Sequence, residues 1–305
     1  MTRSTVATSA LSWLVLAIGC GKPSGSSDFL DASGAPADGL VSDAASPDGR
    51  PQDGAPGDGA SNDGSVIGGR AGCPADSPPL AGPIRESGMP GVGAHGMSYC
   101  KYVSDLPPSL STPAMGTQAA GSTIIVSVGR GDNTKFVPPT DSLGNGPYRQ
   151  LGEMHPYNSP YTGAGTAVYA VTPASGAADF RVITATRSDA AMDEITLAAV
   201  EVVGQTQIVA SEWNVLDQAP LTSRGVTTTG PATLVAFWWG SGFPHVPQSA
   251  TPDNGFVLID SNAFETDSFV QCAVAVKNVA AAGTYDITWT ATPAQGAQLW
   301  LVAVQ

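Results

Sequence analysis

The chain has 305 residues, of which 26 are acidic and 13 basic, so its formal net charge is −13. A negative field of this size excludes nucleic acid as a natural partner. Gly 36, Pro 25 and an aromatic content of only 7% exclude a helical bundle and indicate a turn-rich protein.

The first nineteen residues have the pattern of an export signal. Arg3 is followed by an apolar stretch from Leu11 to Ile18 and then by Gly19. This stretch is shorter than the roughly 20 apolar residues that a membrane-spanning helix needs. Its position at the N-terminus therefore favours a signal peptide over residues 1–19.

The residues Leu16-Ala-Ile-Gly-Cys20 resemble the lipobox of bacterial lipoproteins. The resemblance implies cleavage before Cys20 and acylation of that cysteine, and two or more acyl chains anchor a protein stably in a membrane. Gly21 is not the aspartate that holds such lipoproteins at the inner membrane of enteric bacteria. The implied address is the outer membrane, facing either the periplasm or the cell surface. The alternative is an ordinary secretory signal with a chance cysteine.

Residues 20–70 are predicted to be the lipidated cysteine and a disordered linker. From Gly21 to Arg70 the chain has eight Asp and no Glu, and from Asp38 to Asp63 an Asp recurs at every fifth position, usually followed by Gly. These Asp residues match neither of the known calcium-binding loop motifs. A self-repelling Gly/Pro/Asp chain of this length would span roughly 40 Å on average.

Residues 71–120 are predicted to be an irregular, Pro- and Gly-rich lead-in that contains Cys73 and Cys100. Export would place both cysteines in an oxidising compartment. A Cys73–Cys100 disulfide would close a loop of about 28 residues and stabilise the fold by roughly 3 kcal/mol.

From residue 121 onward, short β-rich runs alternate with Gly/Pro/Asn/Asp clusters, which predicts an all-β domain over 121–305. Several of these runs recur later in the chain, in the same order and at offsets between 104 and 110 residues. The matched pairs are Ser122–Val128 with Ala232–Trp238, Ala167–Val171 with Cys272–Val276, Phe180–Thr186 with Tyr285–Thr292, and Leu197–Val202 with Leu301–Val304. Four ordered matches indicate an internal duplication, with halves at about 121–204 and 230–305.

Two architectures fit this duplication. The favoured one is a single jelly-roll-like two-sheet sandwich in which the halves share a core, because each half offers only about five clear strands. The alternative is two tandem immunoglobulin-like sandwiches, each of which would need about seven strands. The turn at Asp141-Ser-Leu-Gly-Asn and the strand Ala167-Val-Tyr-Ala resemble β-sandwich modules of uncharacterised exported bacterial and phage-associated proteins. That resemblance carries no catalytic residues.

The sequence contains none of the common catalytic or metal-binding motifs, so we predict no catalytic residues, no metal ligands and no cofactor. His95, His155 and His245 are isolated in Gly- and Pro-rich segments, and Cys272 lies within an apolar strand as a small buried side chain. Carboxylates of Asp132, Asp141 and Asp253 are oxygen ligands that could hold a structural calcium ion, with separate solvated loops as the alternative.

Aromatic side chains give the ligand-binding hypothesis. Side chains alternate along a strand, so the adjacent Trp238 and Trp239 are expected on opposite faces, with one of them exposed. An exposed indole suits the apolar face of a sugar ring, and Tyr157 and Tyr161 would add hydrogen bonds. The alternative is that a loop covers the exposed tryptophan.

Together these features predict a lipid-anchored cell-envelope protein that presents a non-enzymatic binding or adhesion β-sandwich. Its partners are expected to be the membrane, through the anchor, and a glycan or a surface protein. The alternatives are a polysaccharide-active hydrolase, which needs two carboxyl groups about 5–9.5 Å apart in a cleft, and a structural envelope or matrix protein.

Overall fold

A computed structural model describes residues 91–103, 108–132, 136–157, 162–186, 193–240, 247–263 and 270–305. The predicted signal peptide and linker (residues 1–70), and with them Cys20, lie outside these residues, as do Cys73 and Tyr161. The described part is all-β, as predicted, and it contains no helix long and apolar enough to cross a membrane.

The strands fall into two repeats. Those of the first repeat are β1 Val92–Val103, β2 Ser109–Ser111, β3 Ala120–Arg130, β4 Thr140–Asp141, β5 Arg149–Gln150, β6 His155–Pro156, β7 Gly165–Ser175, β8 Val182–Ala185 and β9 Asp193–Val202. Those of the second repeat are β10 Ile208–Leu216, β11 Leu221–Thr222, β12 Val226–Thr228, β13 Ala232–Gly240, β14 Ser249–Pro252, β15 Val257–Ser261, β16 Cys272–Val279, β17 Gly283–Tyr285, β18 Thr288–Thr292 and β19 Ala297–Val304.

Sheet topology confirms the duplication, because the two repeats order their strands in the same way. The large antiparallel sheet of the first repeat runs β1-β9-β3-β7, with β5 and β6 beside β7, and that of the second runs β10-β19-β13-β16-β15. Each repeat also has a small sheet, β2-β8-β4 in the first and β11-β18-β14 in the second. The β12–β17 pair is found in the second repeat.

The two large sheets face each other across a shared apolar core, and each is covered on its outer side by its own small sheet. The shared core includes Ile125, Val168 and Val200 from the first repeat and Phe237 and Val302 from the second. Two further clusters fill the space under the small sheets. The fold is thus a β-sandwich in which the halves share a core, as the favoured architecture requires, and each half also has a second layer of its own.

The structural repeats begin earlier than the sequence comparison predicts. The segment 71–120, predicted to be an irregular lead-in, contains the 12-residue strand β1, and the join between the halves contains β10. Both are edge strands that pair with a single neighbour. The regular apolar alternation on which strand prediction depends is absent from β1, where Gly, His, Ser and Lys interrupt the apolar residues, and all nine residues of β10 are partly exposed.

Equivalent ends of the two repeats meet, since Gly129 near the end of β3 lies against Trp239 near the end of β13. One end, here called the loop end, has the strand termini Val103, Arg130, Gly165, Asp193, Gly240, Cys272 and Ala297. The opposite end, here called the tether end, has Val92, Val202, Ala232, Val279 and Val304. The described chain begins at the tether end, and β1 separates it from the loop end by about 35 Å.

Candidate binding site between the repeats

The prediction that Trp238 or Trp239 is exposed is wrong, because both indoles are fully buried. Trp239 points into the shared core, where its Nε1 donates to Ser127 Oγ at 3.1 Å. Trp238 points the opposite way, into the core beneath the small sheet of the second repeat. The alternation was predicted correctly, but both faces of this sheet are covered.

Tyr157 is also buried, with 4% of its surface exposed, and its hydroxyl has no hydrogen-bond partner among the described residues. Burial, and then the nearby Cys272 and Glu194, raise the pKa of the phenol. Tyr157 therefore belongs to the shared core near the loop end, and its predicted partner Tyr161 lies outside the described residues.

Of the two cysteines in the described residues, Cys100 forms a disulfide and Cys272 is a free, buried thiol. Because the Cys272 thiol is free, the disulfide partner of Cys100 lies outside the described residues. Pairing of Cys100 with Cys73 stays a prediction. Cys272 is buried in the shared core, and burial together with Asp260 raises its thiol pKa. A buried thiol with a raised pKa is a poor nucleophile, which agrees with the prediction that Cys272 is a core side chain.

Two of the three carboxylates predicted as possible calcium ligands accept hydrogen bonds from neighbouring groups instead. Asp141 accepts hydrogen bonds from Leu143 N, Asn145 N and the Tyr148 hydroxyl, and Asp253 accepts one from Thr288 N. Asp132 lies two residues beyond the end of β3. Within the described part of the chain, no three His, Cys, Asp or Glu side chains are grouped so that they could hold a metal ion.

A partly exposed aromatic pair lies where β6 of the first repeat meets β10 of the second. The imidazole of His155 stacks on the indole of Trp213, with ring centroids 3.5 Å apart and planes 10° apart. Trp300, on β19, packs against both rings at a tilt, 5.2 Å from His155 and 6.4 Å from Trp213. The repeats are thus joined near the loop end by a cluster of aromatic rings.

Hydrogen bonds from the core hold this cluster in place. The Gln298 amide donates to the backbone carbonyls of His155 and Pro156. Its oxygen accepts a hydrogen bond from Thr166 Oγ1, which in turn accepts one from Trp300 Nε1 at 3.0 Å. These bonds tie β6, β7 and β19 together, so the aromatic cluster has a rigid support.

Two exposed charged side chains flank His155. Burial lowers the pKa of His155, Glu153 raises it and Arg224 lowers it. The lowered pKa favours the neutral form of the imidazole at pH 7. Neutral imidazole, carboxylate and guanidinium groups are all capable of hydrogen bonding to a polar ligand. We call Glu153, His155, Trp213 and Arg224 the junction site.

The opposite edges of the two large sheets also meet, and there the contact is buried. His95 Nδ1 on β1 lies 2.6 Å from Asp260 Oδ2 on β15, and both side chains are about 5% exposed. Close by, Asn262 Nδ2 donates to Thr196 Oγ1, which donates to the carbonyl of Val270. This polar contact fixes the register of the repeats but is closed to a ligand.

Sequence reasoning did not find the junction site, because its residues come from segments with no motif. Trp213 was the available signal, as a large aromatic residue in a join that would otherwise pass for a linker. The stacking of Trp213 on His155 depends on the relative placement of the two repeats, which no local sequence pattern gives.

No protein-family model, curated protein or solved structure matches this chain.

Proposed function

We propose that this chain is an exported, lipid-anchored protein of the bacterial cell envelope, held at the outer membrane through Cys20. Its acidic linker displays a β-sandwich that acts as a non-enzymatic binding or adhesion module. Its ligand is a glycan or a protein of a neighbouring surface.

The observation that carries this proposal is where the sandwich joins the preceding chain. The described residues begin at Gly91, next to Val92 at the tether end, and the loop end lies at the opposite ends of the same strands in both repeats. An anchor attached at the tether end would leave the loop end and the nearby junction site directed away from the membrane. Surface loops on a rigid scaffold are where binding specificity usually resides.

The chemistry of the junction site favours binding over hydrolysis. Glycoside hydrolases typically use two carboxyl groups in a cleft, and among the four residues of the junction site Glu153 is the one carboxylate. Arg224 and the neutral His155 instead offer hydrogen bonds beside an aromatic ring. We therefore favour a binding module over the polysaccharide-active hydrolase.

The anchor is tested by expressing the full chain in a bacterial host with labelled palmitate and separating membrane from soluble fractions. We expect the label and the protein together in the membrane fraction. Cys20→Ser should remove both, because the thiol is the site of acylation, whereas Cys272→Ala should leave both unchanged. Membrane retention and labelling of Cys20→Ser would overturn the anchor.

A further inference from the structure

We propose that the junction site binds a neutral polysaccharide, with a sugar ring against the partly exposed aromatic pair of Trp213 and His155. This deepens the proposed function and rests on it, because it names the ligand class of the displayed module. The site is distinct from the tryptophans that the sequence suggested, which are buried.

The aromatic pair is preorganised. The rings of Trp213 and His155 are nearly parallel and stacked face to face, and Trp300 and the Gln298 amide hold them from the core side. An amphipathic ring held rigid in advance loses little conformational entropy on binding, so more of the contact energy becomes affinity. Trp213 lies on β10, the edge strand of its large sheet.

The polar groups around the rings match hydroxyl groups. Glu153 and Arg224 are exposed, and the structure gives neither a side-chain hydrogen bond nor an ion pair among the described residues. A carboxylate presents two acceptors and a guanidinium presents paired donors, and adjacent sugar hydroxyls can satisfy either in a bidentate way. The arrangement of one aromatic platform flanked by an acceptor and a donor is suited to a polyhydroxylated ring.

Charge selects a neutral ligand over an anionic one. The carboxylate of Glu153 and the guanidinium of Arg224 have opposite charges, and the lowered pKa of His155 favours its neutral form. The whole chain has a formal charge of −13, which repels polyanions at long range. A neutral polysaccharide is not repelled by the negative charge of the chain, and it needs no cluster of cations in order to bind.

The test uses the full chain carrying Cys20→Ser, so that it remains free of lipid. Its retention is measured on insoluble cellulose, xylan, mannan and chitin, with released reducing sugar assayed in the same tubes. We expect retention on at least one of them without sugar release. Trp213→Ala should weaken retention at least about tenfold, as loss of a central tryptophan commonly does, and Trp213→Phe should retain part of it.

Substitutions of exposed residues distinguish the loss of a ligand contact from the loss of the folded structure. Glu153→Gln and Arg224→Lys should each weaken retention several-fold while leaving thermal unfolding unchanged, and Arg149→Lys, an exposed arginine on β5, is the matched control. Equal retention of these variants and the wild type would overturn the junction site. Absence of retention on every polysaccharide would overturn the glycan ligand, whereas the palmitate experiment would still decide the anchor independently. Sugar release would instead establish a hydrolase.

Discussion

Glu201 is a carboxylate on β9 with 1% of its surface exposed, and it satisfies three donors at the tether end. Its Oε2 accepts from Ala94 N at 2.9 Å, and its Oε1 accepts from Gln118 N at 2.7 Å and from Ser122 Oγ at 2.6 Å. The side chain thereby links β1, the strand that receives the preceding chain, to β3 and β9.

Replacing Glu201 by Gln should lower the free energy of unfolding by about 1–3 kcal/mol, because the amide NH2 would face a buried N–H donor. Urea unfolding followed by circular dichroism measures the change. Glu153→Gln is the control, since Glu153 is exposed, and its effect should be below about 0.5 kcal/mol. Equal effects of the two substitutions would show that Glu201 does not hold β1.

His155 gives a pH-dependent signal at the junction site. Burial lowers its pKa below the usual 6.5, so the folded state favours the neutral ring and loses stability as pH falls below that value. Tryptophan fluorescence should titrate with a midpoint below 6.5, because a protonated imidazole quenches the indole stacked on it. His155→Phe should abolish this transition and Trp213→Phe should reduce it. A midpoint above 6.5 would contradict the described environment.

At the scale of elements, the two large sheets are in close contact where Gly129 on β3 lies against Trp239 on β13. A Cβ added to Gly129 would lie 2.2 Å from Trp239 Cζ3. Gly129→Ala should therefore destabilise the protein by about 1–3 kcal/mol through overpacking. Thermal unfolding measures this, with Gly163→Ala as the control, since its added Cβ would come no closer than 4.0 Å to Gly131 O. A neutral Gly129→Ala would mean that the sheets lie further apart.

Buried strands could be predicted from the sequence because their apolar runs are dense. The runs at Ser122–Val128, Gly165–Val171 and Thr233–Trp239 lie within β3, β7 and β13. The edge strands β1 and β10 could not, because polar residues and glycines interrupt the apolar residues of β1 and every residue of β10 is partly exposed. The burial of Trp238 was unpredictable for another reason, since the small sheet that covers it is assembled from residues far apart in the chain.

At the scale of the whole molecule, the shared core makes each repeat dependent on the other. Residues 91–205 or 206–305 alone would expose one side of that core, including Val200 or Phe237. We expect either half expressed alone to aggregate, and the two halves to form a soluble complex when they are co-expressed. Size-exclusion chromatography measures this. A half that is monomeric and folded by itself would show that the interface between the large sheets is not required.

The central claim is that the tether and the binding surface occupy opposite ends of the sandwich. The most direct test introduces Cys at Gly163, exposed near the loop end, or at Ala280, exposed at the tether end, into the Cys20→Ser chain. Each variant is labelled with maleimide-polyethylene glycol and applied to the polysaccharide that retains the unlabelled chain. The label at position 163 should block retention and the label at 280 should leave it unchanged. Blocking by the label at 280, with retention intact at 163, would contradict the account.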